Sequence, residues 1–229
     1  MFKKSISKKS QQDSASKEKN LLDYSYDEAM VLYKNDFEED LNGWKSRGPE
    51  EGHFNYGKHE VKVELTAEEA CSEKQCMKIS GRIEHWNGAE IDITEYLHEG
   101  IADYEAMAWV KLREDAAPCL VNLSLQCHSR IGNIDFPEFK FWENINDVNP
   151  SILSNYRLPV GTPPFQSEEW QTNYPPGYVT ENGWVLLRGK SKIDKNQYDK
   201  VFVYIETSVA ESHDQVIYVD DFVLLTGNK

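Results

Sequence analysis

Apolar and polar residues alternate one for one along four separate stretches of this chain. Val61, Val63 and Leu65 alternate with Lys62 and Glu64, and Met77 and Ile79 with Lys78 and Ser80. Cys119, Val121, Leu123, Leu125 and Cys127 alternate with Asn122, Ser124 and Gln126, and Val201, Val203 and Ile205 with Phe202, Tyr204 and Glu206. A strand turns successive side chains to opposite faces, so a period of two predicts strands with one face in a core and one outside it. Further strands are predicted at 106–112, 184–188 and 216–224, with Glu99-Gly100 and Asn182-Gly183 as turns between elements. No segment carries the apolar period of a helix of ordinary length, and no repeat is present. Many short strands without helices predict an all-β fold, a sandwich or jelly roll of two antiparallel sheets.

Three segments depart from this pattern. Residues 1–20 are rich in Lys, Ser and Gln with almost no apolar anchor, which predicts a disordered basic tail. Residues 21–34 form a lead-in whose Asp27–Tyr33 stretch reads as a helical turn or a first strand. The domain proper then runs over 35–229. Within it, 128–176 has no steady period, and it is read as a long insertion between two sandwich strands.

Charge narrows the range of partners. The tail holds six lysines against Asp13 and Glu18, a surplus of four; subtracting that from a total of −14 leaves −18 on the rest. A body so negative repels phosphate backbones, so nucleic acid is excluded as a natural partner, and anionic polysaccharides are disfavoured for the same reason. A neutral polymer meets no such barrier. No stretch is apolar enough to cross a bilayer, and no secretory segment follows Met1-Phe2-Lys3-Lys4. The four cysteines lack the paired spacing of a zinc site. Cys119 and Cys127 share one predicted strand, roughly 26 Å apart at about 3.3 Å per residue, so they cannot bond each other there. Cys71 and Cys76 could bridge a turn, or all four could be buried thiols.

The outward face of the strand at 201–206 is the most informative feature. Phe202 and Tyr204 stand beside Glu206 where Lys, Thr or Ser would be usual. The C–H face of a pyranose stacks on such rings, and a carboxylate accepts hydrogen bonds from sugar hydroxyls. A second, smaller core layer under a loop is the other reading. Asn122, Ser124 and Gln126 offer a polar face that would line the same sheet if the two strands were neighbours; otherwise they are an ordinary solvated face. Trp86, in Glu84-His85-Trp86-Asn87-Gly88-Ala89, falls at a strand end or loop and is either a ligand platform or a plug over the core edge. Arg47 lies in the turn-rich Trp44–Pro49. Asn35-Asp36-Phe37-Glu38 opens the domain and Tyr218-Val219-Asp220-Asp221 closes it; if first and last strands pair, hard oxygen donors meet there, as calcium prefers. No GxSxG or HExxH run is present, and no carboxylate pair stands in a recognisable acid/base setting.

In order and spacing, Phe37-Glu38, Gly43–Gly48, Ser80-Gly81-Arg82, Trp86-Asn87-Gly88-Ala89, Leu125-Gln126, Gly183-Trp184-Val185, Tyr204-Ile205-Glu206-Thr207 and Tyr218–Asp221 resemble family 22 carbohydrate-binding modules, and more loosely families 4 and 9. The resemblance covers about 35–225 apart from the insertion. It implies a galactose-binding-like jelly roll with a cleft on its concave sheet and, as ligand, a neutral β-linked polysaccharide, xylan or mixed-linkage β-glucan. It places binding on Arg47, Trp86, Tyr204 and Glu206, with Gln126 beside them, and a structural calcium near Asn35, Glu38 and Asp220. A further cleft tyrosine of the family falls in the remodelled region, where Tyr178 and Tyr174 both qualify. Trp142, Tyr156 and Trp170 of the insertion could wall the cleft. The resemblance further implies a non-catalytic accessory module, an extracellular or cell-surface setting, and a glycosidase domain or other surface protein as partner. The competing readings are a jelly-roll glycoside hydrolase or lyase, and a protein-interaction domain that kept the sandwich and lost the sugar site.

Overall fold

The structure, a computed structural model, describes residues 30–48, 56–113, 116, 119–129, 152–158, 182–207 and 215–227. The expectations for the tail at 1–20, for most of the insertion and for Tyr174 and Tyr178 lie outside these residues.

Among the described residues, eleven strands form two antiparallel sheets. They are β1 (Val31–Asn35), β2 (Lys45–Arg47), β3 (Lys62–Thr66), β4 (Cys76–Ser80), β5 (Gly88–Asp92), β6 (Ile101–Leu112), β7 (Cys119–Ser129), β8 (Ile152–Leu158), β9 (Val185–Asp194), β10 (Tyr198–Thr207) and β11 (Ile217–Thr226). One sheet runs β3-β4-β11-β6-β9, with β1 also paired to β11; the other runs β2-β5-β10-β7-β8. The β-sandwich expectation is met.

The alternation does what its period implies. Val121, Leu123, Leu125, Val201, Val203 and Ile205 enter the core between the sheets, facing Ala106, Ala108, Val110, Val219 and Leu224 from the opposite sheet. At one end Trp44 meets both Phe37 and Phe222 edge to face, with Trp44 and Phe222 centroids 5.0 Å apart.

β11 changes partner half-way. Residues 217–219 pair with β4, and 222–225 pair with β1. The break falls at Asp220-Asp221, where Asp221 has a φ of 47°. First and last strands therefore do pair.

One open reading is decided and one expectation changes. Of the two readings of the lead-in, a helical turn or a first strand, Val31–Asn35 takes the second. The insertion is not without structure throughout, because Ile152–Leu158 is a strand that pairs with β7 from Cys119 to Ser124. An edge strand needs partners for its backbone on one side only, so it can form without the two-faced alternation that marks a central strand.

Candidate functional site

The β2-β5-β10-β7-β8 sheet turns a polar and aromatic face away from the core. Register places its residues in rows: Tyr204 lies between Glu90 and Ser124, Phe202 between Asp92 and Gln126, and Glu206 beside Asn122. Arg47 is opposite Gly88 at the β2 edge.

Arg47 links the group. Its Nη1 donates to Glu206 Oε2 at 2.9 Å and to the Trp86 carbonyl at 3.4 Å, and its Nη2 donates to Gln126 Oε1 at 3.3 Å. The guanidinium carbon sits 3.8 Å from the Tyr204 ring centroid and 5.9 Å from that of Trp86. The Tyr204 hydroxyl donates to Gln126 Oε1 as well. Five residues named from sequence, Arg47, Trp86, Gln126, Tyr204 and Glu206, thus come together from β2, the β4–β5 loop, β7 and β10.

One expectation is corrected. Tyr204 does not offer an open ring: it is only 4% exposed, and Arg47 lies over it. Asn122 and Ser124 are buried too, not a solvated face. The more accessible groups are Trp86, Phe202, Gln126, Arg47 and Glu206, all half-buried. Phe202 is stacked parallel to Tyr204, with 6.2 Å between centroids, and meets His128 edge-on.

Each carboxylate of this face has a cationic partner. Glu206 pairs with Arg47, Glu90 with Lys45 at 3.1 Å, and Asp92 with Lys200 at 2.6 Å. Burial pushes the Glu206 carboxyl above the usual carboxylate range, while the Arg47 charge pulls it back. Asp92 is held below that range: its bonds to Lys200 and Thr94 outweigh burial, which acts the other way. Beyond β2, an open groove of about 590 Å³ is lined by Ser46, Gly48, Tyr56, Lys58, His59 and Glu60.

The Trp86 loop is held by a residue that sequence reading did not single out for this role. Arg82 is buried, and donates from Nε to the Asn87 carbonyl at 2.6 Å and from Nη2 to the His85 carbonyl and Thr207 Oγ1 at 3.0 and 2.6 Å. Asn87 Oδ1 accepts from the Ile83 and Glu84 amides, and the Thr207 amide donates to the His85 carbonyl. Trp86 is therefore fixed relative to Glu206, one residue before Thr207. Gly88 completes the fit. A Cβ there would lie 1.9 Å from the Ile205 carbonyl oxygen, so only glycine lets β5 run this close to β10.

At the β1–β11 end, the three residues expected to hold calcium stand in the same region, but their oxygens are engaged by backbone. Asn35 Oδ1 accepts from the Phe37 amide, and Glu38 Oε1 from the Lys74 and Gln75 amides. Asp220 Oδ2 accepts from the Cys71 and Ser72 amides, and Oδ1 from that of Asp221. Among the described residues no three His, Cys, Asp or Glu gather closely enough to hold a metal by themselves. Asp220 and Asp221 are nonetheless adjacent and wholly buried; burial, and then the Asp221 charge, push the Asp220 carboxyl up to about 8. All four cysteines are free thiols.

Residues 29–134 match a family described as a carbohydrate binding domain. Over 118 residues the chain is 30% identical to endo-1,4-beta-xylanase C of Paenibacillus barcinonensis, a stretch that spans 51% of this chain and 10% of that enzyme. The CBM22-1 xylan-binding domain of Paenibacillus barcinonensis Xyn10C superposes with a TM-score of 0.59 at 21% identity, covering 87% of this chain and 96% of that domain. The chain resembles the family 22 modules in fold, and its N-terminal half resembles a carbohydrate binding domain in sequence. The C-terminal family 22 module of Clostridium thermocellum Xyn10B gives a TM-score of 0.55 at 17% identity, over 88% of this chain and 97% of that one. The fold shared with these modules extends over the sandwich, whereas the sequence match to the family ends at 134, within the stretch that follows β7.

Proposed function

We propose that this chain is a non-catalytic module that binds a neutral β-linked glycan, xylan or mixed-linkage β-glucan, on the outer face of the β2-β5-β10-β7-β8 sheet. The observation that carries the reading is the convergence of Arg47, Trp86, Gln126, Tyr204 and Glu206, from four separate segments, into one bonded group. Trp86 and Phe202 supply ring surface for sugar C–H faces. Arg47, Gln126 and Glu206 supply donors and acceptors for hydroxyls, and the tight network fixes them before ligand arrives, which lowers the entropy cost of binding. Tyr204 acts from beneath by holding Arg47 and Gln126. The match to a carbohydrate binding domain supports the reading, as do relatives described as xylan-binding. Accessory attachment to a glycosidase, seen in a relative described as carrying CBM22-1 and GH10 modules, is part of the proposal, as is an extracellular or cell-surface setting.

A binding role suits the ion pairs. A glycosidase needs one protonated and one free carboxyl flanking the scissile bond; here Glu206, Glu90 and Asp92 are each tied to a cation. Titration calorimetry with xylan, mixed-linkage β-glucan and their oligosaccharides should show saturable heat with at least one, and reducing-sugar release should stay at background. No heat with any of them refutes the binding reading; sugar release replaces it with the hydrolase.

A calcium ion at the β1–β11 end belongs to the proposal as a structural element. The donors there are all oxygen, Asn35, Glu38 and Asp220 with Asp221 alongside, and two adjacent buried carboxylates are the charge a divalent cation would neutralise. Calcium should raise the melting temperature, and a chelator should return it to the metal-free value.

A further inference from the structure

The cleft face ends at β2, which pairs with β5 on one side and, among the described residues, with no strand on the other. The side chains that meet at Arg47 form a row across the strands: Gln126 on β7, Tyr204 and Glu206 on β10, and Arg47 on β2. From β7 through β10 and β5 to β2 is three steps, about 14 Å at about 4.8 Å per strand. A linear glycan lying along that row leaves the sheet over β2. Beyond that edge lies the open groove of about 590 Å³, a size within the range of about 300–1,000 Å³ usual for ligand pockets. Ser46 and Gly48, the chain neighbours of Arg47, line it from β2, and the stretch from Tyr56 to Val61 lines it from the approach to β3.

The lining suits a sugar. Tyr56 is the most exposed tyrosine among the described side chains, at 56%, whereas Tyr204 in the cleft is shielded by Arg47. Ser46, His59 and Glu60 are exposed as well, and offer donors and acceptors to hydroxyls. Lys58 and Glu60 bring opposite charges, so the groove is balanced although the chain carries a net charge of −14, and a neutral sugar can enter it. Its β3 side is anchored. Val61 is buried in the core, and the Glu60 carbonyl passes so close to Gly81 that a Cβ there would lie 2.4 Å from the oxygen. We propose that this groove is a further subsite, in which Tyr56 stacks on a ring of the same glycan chain that Arg47 and Trp86 hold. The subsite rests on the glycan-binding reading of the cleft and deepens it: the ligand is a polymer long enough to continue past β2, and affinity grows with its length.

The test is titration calorimetry of the full chain with tetrasaccharides and hexasaccharides of xylan and of mixed-linkage β-glucan. Tyr56→Ala should weaken binding of the hexasaccharide about fivefold, the worth of one ring contact, and leave the tetrasaccharide within about twofold of the parent. Tyr56→Phe keeps the ring and should bind the hexasaccharide as the parent does. A Tyr56→Ala protein that binds the hexasaccharide like the parent overturns the subsite and leaves the cleft standing. An equal loss for both lengths, the mark of a general disturbance of β2, overturns it too. A parent protein that binds neither length overturns the glycan-binding reading, and the subsite with it.

Discussion

Arg47 covers Tyr204. The guanidinium carbon stands 3.8 Å from the ring centroid while Nη1 holds Glu206 at 2.9 Å, so one side chain shields an aromatic ring and neutralises a half-buried carboxylate together. Neither Tyr204 nor Glu206 has its present environment without it.

Arg47→Ala should therefore do two kinds of damage. It should abolish measurable glycan binding, and it should destabilise the fold by about 2 kcal/mol, because Glu206 loses its charge partner. Arg47→Lys keeps the charge but not the fork, and should recover stability more than affinity. Calorimetry and chemical denaturation of both variants check this. An Arg47→Ala protein that binds like the parent would remove Arg47 from the site.

Trp86→Ala should weaken glycan binding by about 1–3 kcal/mol with little change in melting temperature. Trp86 is half-buried on a loop held by Arg82 and Asn87, so truncating it leaves that scaffold in place. Comparing dissociation constants with melting curves separates the outcomes. A large fall in stability would mean that the ring is a plug over the core edge.

Arg82→Met should cost both stability and affinity although Arg82 is buried behind the loop. Its bonds to Asn87, His85 and Thr207 are charge-assisted, and losing them should cost about 2–4 kcal/mol in denaturant unfolding. Gly88→Ala should cost about 3 kcal/mol through its collision with the Ile205 carbonyl. Normal stability in Gly88→Ala would contradict the close approach of β5 to β10.

The pH dependence should run opposite to that of ordinary acid denaturation. Asp220 titrates near 8 when folded and near the ordinary aspartate value of about 3.9 when unfolded. Between these values the folded state binds the extra proton, so the contribution is fully present below about pH 4 and is lost as pH rises through 8. Glu206, also raised, has the same sign. In chelator, melting temperature should fall from pH 5 to pH 8, and Asp220→Asn should flatten that slope. A bound calcium would flatten it too, by favouring the ionised carboxylate. A rise over the same range in chelator would show that Asp220 is not the buried acid described.

Much of this was legible in the chain. Alternation at 119–127 and 201–205 marked the central strands and their core faces, because burial on one side alone selects apolar residues at every second position. The odd surface of Phe202, Tyr204 and Glu206 and the motif order around Arg47 and Trp86 pointed to the residues that come together in the candidate site. Short edge strands such as β2 and β8 were missed, since half-paired strands need no such pattern. Arg82 was missed as a clamp because its partners are mostly backbone carbonyls, which leave no trace in residue identity.

By itself the sequence determined which residues go inward and which outward, because the strand period is local. It did not determine which outward residues share a surface, nor which of those remain open. Only the pairing of β10 with β5 and β7, and the reach of Arg47 from β2, brought five distant side chains together and placed Tyr204 beneath a guanidinium. Those are contacts between residues as much as 159 positions apart, set by the closing of the sheets and not by any neighbour along the chain.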